Sequence, residues 1–241
     1  MKIHYCKDYQ EMSLLGAELV HAELEMKPDL LFCAASGNSP TGLYELMVEK
    51  HQHSHGFFDW MKVIKLDEWV GLSNESTFTS EYDIQHKLLK KLGIGGDRYI
   101  SFEVETQDPE AECKRIQNEI ADSDGIDICI LGIGINGHIA LNEPAEYLQP
   151  NCHVAKLHAV TLASGMIEKV GVPLTQGMTM GIGDIMSSKM VILFISGKGK
   201  KPALDLLLEG NIRTDLPASL LWLHPNTHVL VDKKSMVVSG I

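Results

Sequence analysis

Residues 126–144 read IDICILGIGINGHIALNEP. The first nine of them are the most strand-like stretch in the first half of the chain. They end in a literal G-x-G-x-x-G, formed by Gly132, Gly134 and Gly137. That spacing is a dinucleotide-binding fingerprint when an early βαβ unit carries it and an acid follows about 20 residues on, at the end of the next strand. Here the next strand predicted is HVAKLHAV, 153–160, which holds no acid, and Pro144 would stop a helix within two turns. The cofactor reading fails on context. What remains is a tight glycine turn that presents His138 to the strand ends, with Glu143 close enough to orient it. A histidine with a reference pKa of ~6.5 can move protons near neutral pH. Flanking glycines make the alternative, a histidine packed in the core, the weaker reading.

Working outward, apolar runs and amphipathic stretches alternate. DLLFCAA (29–35) is too short for a buried helix and reads as an inner strand, as do VIKL (63–66), KMVILFIS (189–196) and THVLVD (227–232), with RYISF a weaker one. Helices are predicted at 8–26, from Pro40 to Lys50, at 81–92, at 109–123 and over KKPALDLLLEG. The alternation predicts an α/β fold, a three-layer α/β/α sandwich around a mostly parallel, open, Rossmann-like sheet. Residues 145–180 are less regular and are expected to cover a site. No linker-like segment divides the chain, so residues 1–241 are read as a single domain.

In such sheets ligands sit outside the carboxyl ends of the strands, and four apolar strands here run into polar loops. SGNSPTG (36–42) offers Ser39 as an N-cap, Pro40 at the first helical position, and open N–H groups for an anion. DEW (67–69) puts two acids at a strand end, one of which could act as a general base if shielded from water. GKGKK (197–201) places Lys198, Lys200 and Lys201 at a helix start, against the helix dipole, a conflict a bound phosphate would relieve. Read alone, each has an ordinary explanation: a capped βα turn, solvated carboxylates, a surface lysine cluster. Their convergence with the His138 loop carries more weight. HQHSH (51–55) has metal-ligand spacing but no sign of supporting partners, and reads as a hydrophilic turn.

Composition sets limits. A net charge of −11 with no long basic run argues against nucleic acid and anionic membrane as partners. There is no signal-peptide pattern and no apolar run of the ~18–20 residues a span needs. Five scattered cysteines without a C-x-x-C suggest free thiols in a reducing compartment, so the cytoplasm is expected.

Together, SGNSPTG, KLDEWVG, LGIGINGHIALNEP and SGKGKKPALDLLLEG resemble the glucosamine-6-phosphate deaminase/isomerase family, in order and spacing, along nearly the whole chain. G-x-x-G-H-I-A-L-N-E-P is highly specific; S-G-N-S-P alone is not. KLDEWV, LGIGINGHIALNEP, YLQPNCH and PASLLWLH are most similar to the galactosamine-6-phosphate branch. The sister 6-phosphogluconolactonases share the fold and a Gly-His turn, but continue differently after it.

The resemblance implies a sugar-phosphate isomerase fold and a redox-neutral reaction with no cofactor and no metal. An amino-sugar phosphate, galactosamine 6-phosphate, would give tagatose 6-phosphate and ammonia. It implies His138 at the ring oxygen, oriented by Glu143, and Asp67 as the base moving the C2 proton to C1. Glu68 and Asn136 are supporting candidates. The phosphate would rest on Ser36, Gly37, Asn38, Ser39 and Gly137, with Lys200 as counter-charge. Two departures stand out. Asn136 replaces the aspartate usual before Gly-His in the glucosamine branch, which leaves Glu143 as the acidic partner of His138. TLASGMIEKV (161–170) lacks the family's phosphate-binding arginine, with Lys169 as a substitute. The alternatives are a glucosamine-6-phosphate deaminase, a lactone hydrolase, and a non-catalytic sensor, which would have lost one of Asp67, His138 or Glu143. The implied partner is a small sugar phosphate; self-association into a homo-oligomer is left open.

Overall fold

The computed structural model describes residues 1–163, 171 and 173–236. Their strands are β1 Lys2–Cys6, β2 Leu31–Ala34, β3 Lys62–Lys65, β4 Asp67–Trp69, β5 Tyr99–Ile100, β6 Ile128–Gly132, β7 His153–Lys156, β8 Gln176–Thr179, β9 Met190–Ile195 and β10 Thr227–Asp232. Seven form one sheet in the order β1-β10-β9-β6-β2-β3-β5, every neighbouring pair parallel. The predicted parallel α/β sheet is therefore present, flanked by helices. The inner strands β2, β9 and β10 are buried along their full length, whereas edge strand β1 buries only Cys6. That gradient explains the sequence pattern. Strands covered on both faces need unbroken apolar runs, and burying each large apolar side chain contributes roughly 1.5–3 kcal/mol.

Local signals place the helices. Asp8 caps the helix Tyr9–Met26 by accepting from the N–H of Glu11. Asp108 caps Pro109–Asp122 through the N–H of Ala111, with Pro109 at the first turn, where a missing N–H costs nothing.

From β2 the chain steps outward to β3 and β5; from β6 it steps the other way, to β9 and β10. The order reverses between β2 and β6, which opens a crevice at their carboxyl ends. The loop after β2 carries Ser36–Ser39; the loop after β6 carries Gly134–His138.

The structure differs from the sequence reading in several elements. Lys2–Cys6 is an edge strand paired with β10 that no apolar run announced. DEW is not a loop but β4, in a second, antiparallel sheet of order β4-β8-β7. His153–Lys156 is a strand of that small sheet, while Ala159–Leu162 turns helical. Part of the irregular cover expected over 145–180 is thus a sheet, resting on its own apolar cluster, which includes Leu72, Leu141, Leu157 and Leu174. His51 and His53 do not sit in a turn; they complete the last turn of the helix Thr41–His53. No helix among the described residues is long and apolar enough to cross a membrane.

Candidate active site

A cavity of about 250 Å³ lies in the crevice. It is lined from three directions by residues singled out from the sequence: Ser36–Ser39 after β2, Asp67 on β4, and His138 after β6, with Lys200 at the rim.

The glycine turn makes the His138 position. Gly134 N–H donates to the His138 carbonyl at 2.8 Å, closing the loop. A Cβ on Gly134 would lie 2.3 Å from the imidazole, so only glycine lets the ring lie across the turn. Gly137 has φ +84°, and a Cβ there would meet Leu216 at 2.2 Å. Its role is the turn and the packing behind it. It does not line the cavity, and the expected phosphate contact is corrected accordingly.

His138 Nδ1 faces Glu143 Oε2 at 3.2 Å, with Thr161 Oγ1 at 3.3 Å. Asn136 Nδ2 donates to the same Glu143 oxygen at 2.9 Å, and Asn136 Oδ1 accepts from the His138 N–H at 3.3 Å. Burial opposes ionisation of Glu143, but the hydrogen bond and charge of His138, with Thr161 and Asn136, outweigh it and hold the carboxyl at about 2. Glu143 and Asn136 stand behind the imidazole rather than in the cavity wall. An ionised Glu143 only accepts, so Nδ1 carries the proton toward it and Nε2 is the nitrogen left for proton exchange.

Asp67 reaches the cavity because β4 alternates its faces. Asp67 and Trp69 point one way, into the lining, and Glu68 the other. Burial, then the neighbouring charge of Glu68, pushes the Asp67 carboxyl up to about 6, against the opposing pull of Ser80, Lys65 and His138. Glu68 itself is wholly buried and fully engaged. It pairs with buried Lys65 Nζ at 2.8 Å and accepts from the N–H groups of Trp69, Ser80 and Glu81 at 2.8–2.9 Å. Lys65 also donates to Glu81 and to the Phe102 carbonyl. Removing one partner of such a pair costs about 3–5 kcal/mol. Glu68 therefore pins β4 to β3 and to the helix Ser80–Ile84, away from the cavity lining, and its expected place among the catalytic groups is corrected.

The loop after β2 also differs from expectation. The helix starts at Thr41, Pro40 occupies the cap position without a side-chain bond, and Ser39 lines the cavity instead of capping. Gly37 (φ +94°) is clamped: its N–H donates to Asp83 at 2.9 Å, and its carbonyl accepts from Lys87 Nζ at 2.7 Å and Thr41 Oγ1 at 3.0 Å. Its N–H is thus not open to an anion, and the N–H groups of Asn38 and Ser39, with the hydroxyl of Ser36, are what the loop has left for that task.

Among the lysines after β9, Lys201 pairs with Asp205 at 2.6 Å and Lys198 is exposed. Lys200 lines the cavity, has no carboxylate within ion-pairing distance among the described residues, and is held below the usual lysine range by burial. Lys169 lies outside the described residues. Trp69 and Thr161 line the cavity but were not singled out from the sequence. Trp69 carried a usable signal, alternation with Asp67 on one face; Thr161 carried none.

A family model described as glucosamine-6-phosphate isomerases/6-phosphogluconolactonase matches residues 10–231. The chain belongs to this family. Similar relatives include a protein of Escherichia coli (strain K12) whose name calls it a deaminase, AgaI, 38% identical over 94% of this chain and 90% of its own. The glucosamine-6-phosphate deaminase 1 of Bacillus subtilis (strain 168) is 33% identical over 98% of both chains. Among solved structures, a monomeric glucosamine-6-phosphate deaminase superposes with a TM-score of 0.90 at 34% identity, covering 98% of both chains. The 6-phosphogluconolactonase of Trypanosoma brucei, at 19% identity and a TM-score of 0.75 over 97% of this chain and 96% of its own, shares the fold. This chain is an enzyme of the amino-sugar-phosphate isomerase/deaminase type.

Proposed function

We propose that the enzyme converts galactosamine 6-phosphate and water to tagatose 6-phosphate and ammonia. The observation that carries the reading is one cavity holding two proton-handling groups with opposite environments, Asp67 and the His138–Glu143 pair, beside a lysine with no ion-pair partner among the described residues.

The chemistry asks for three things. The sugar ring must open, a proton must move from C2 to C1, and the amine must leave. His138, with Nδ1 anchored by Glu143, exchanges a proton with the ring oxygen through Nε2. Asp67 takes the C2 proton and returns it at C1 through an enolamine. A carboxyl near 6 suits this task, since it is ionised at neutral pH yet basic enough to hold a proton in passing. Lys200 supplies the counter-charge to the phosphate, with the N–H groups of Asn38 and Ser39. Reprotonation at C1 leaves an iminium at C2; water adds to that carbon and ammonia departs, giving the ketose, and the sequence is redox-neutral overall because C1 gains the electrons that C2 gives up.

The galacto assignment rests on the similarity of KLDEWV, YLQPNCH and PASLLWLH to that branch. A second reading, glucosamine 6-phosphate, is favoured by relatives named for that substrate at 32–34% identity. Ammonia release from the two sugars at matched concentrations separates them. Release mainly from the galacto sugar is expected; release mainly from the gluco sugar keeps the mechanism and overturns the branch. No ammonia from either overturns both.

A further inference from the structure

Asp67 is linked to Ser36, on the loop after β2, through two hydroxyls. Ser80 Oγ donates to Asp67 Oδ1 at 3.3 Å, and Ser36 Oγ lies 3.0 Å from Ser80 Oγ. Ser80 is buried and Ser36 lines the cavity beside Asn38 and Ser39. A serine hydroxyl carries one proton. If Ser80 gives its proton to the Asp67 carboxylate, Ser36 must be the donor in the second bond. The chain then runs Ser36 to Ser80 to Asp67, and Ser36 shows the cavity only lone pairs. When Asp67 holds a proton, that proton points to Ser80, both hydroxyls rotate, and Ser36 O–H turns into the cavity. No bond breaks along the serines; each keeps its own hydrogen.

We infer that Ser80 is a positioning residue that couples the proton state of Asp67 to the donor state of Ser36, on the loop facing the substrate phosphate. An anion accepting from Ser36 favours the protonated form of Asp67, and a proton on Asp67 favours the anion. This rests on the assignment of Asp67 as the base. The other charged groups acting on Asp67 are Lys65 and Glu68 from the β3–β4 segment and His138 from the loop after β6. None of them is moved by truncating Ser80. The backbone N–H of Ser80, which donates to Glu68 Oε1 at 2.9 Å, also survives that change.

The test is a 13C NMR titration of the Asp67 carboxyl in the full chain, with and without inorganic sulfate, a dianion throughout the range scanned. In the unmodified protein sulfate should raise the midpoint. In Ser80→Ala the sulfate-free midpoint should rise by roughly half a pH unit, because the carboxylate has lost a donor, and the response to sulfate should shrink. The acid limb of kcat/KM should move with it, which a purely structural role would not produce. Ser36→Ala cuts the chain at its cavity end and leaves buried Ser80 and its helix, Ser80–Ile84, untouched; it should weaken the sulfate response. An unchanged midpoint in Ser80→Ala, or a full sulfate response in Ser36→Ala, overturns the coupling. The titration needs no turnover, so a failed ammonia assay would count against the functional reading and not against this one.

Discussion

Asp67 and Glu143 are both partly shielded carboxyls at the ends of adjacent structural units, yet their environments drive them apart. Glu143 has two side-chain donors, Asn136 and Thr161, and an imidazole around it and is held at about 2; Asp67 has one distant hydroxyl, an anionic neighbour, and sits at about 6. Burial pushes both the same way. What separates them is the count and charge of partners. The difference teaches that a carboxylate is made a permanent anion by giving it donors, and made a base by withholding them.

The sharpest way to break the contrast is Asp67→Asn. Among the described residues it removes the only cavity-facing carboxylate, and it should lower kcat by about 10³-fold while substrate binding persists. Turnover near that of the unmodified enzyme, with binding measured by calorimetry, would remove Asp67 from the role. Glu143→Gln attacks the other member. It leaves His138 without an anion at Nδ1 and should cost about 10²-fold in kcat, with little change in KM. A rise in KM alone would place Glu143 in substrate binding instead.

Lys200→Ala tests the counter-charge both carboxyls must tolerate. Losing a charge-assisted contact to phosphate should raise KM by roughly 10- to 100-fold, and Lys200→Arg should recover part of it. An unchanged KM in initial-rate kinetics would clear Lys200 of that contact.

The smallest effect is on stability, where the two carboxyls should show opposite signs. The folded value of Asp67 lies above that of an unfolded aspartate, so between about pH 4 and pH 6 the native state binds the extra proton and stability falls as pH rises. Glu143 has the reverse sign: its contribution is present above the unfolded value of about 4.3 and is lost as pH falls toward 2. At pH 7, Asp67→Asn should therefore melt higher than the unmodified protein and Glu143→Gln lower. Calorimetric scans giving both the same sign would show that burial, not partner count, dominates.

The parallel sheet was legible because β2, β9 and β10 are buried along their length and had to be written in apolar residues. The same logic hid β1, whose edge position demands little apolar surface, and β4, whose three residues alternate between cavity and interior. Asp67, His138 and Lys200, which line one cavity, were readable as polar groups following apolar strands. Glu68 was misread because sequence cannot show which of two adjacent acids faces inward; its partner Lys65, three positions back, looked like an ordinary strand residue. Gly37 was misread for a related reason. Asp83 and Lys87, which hold its peptide, come from a helix more than forty positions away.

The pairing of β1 with β10 joins Lys2–Cys6 to residues at the far end of the described chain. β1 leaves the ribosome long before β10, which is its sheet neighbour among the described residues. Closing so long a loop carries a large entropic penalty, offset only after β9 and β10 have docked. β1 is thus made well before it can be secured, and until it docks the free edge of β10 is a template for another chain's strand. Pulse-labelled hydrogen exchange during refolding should show the amides of Lys2–Cys6 gaining protection after those of β9.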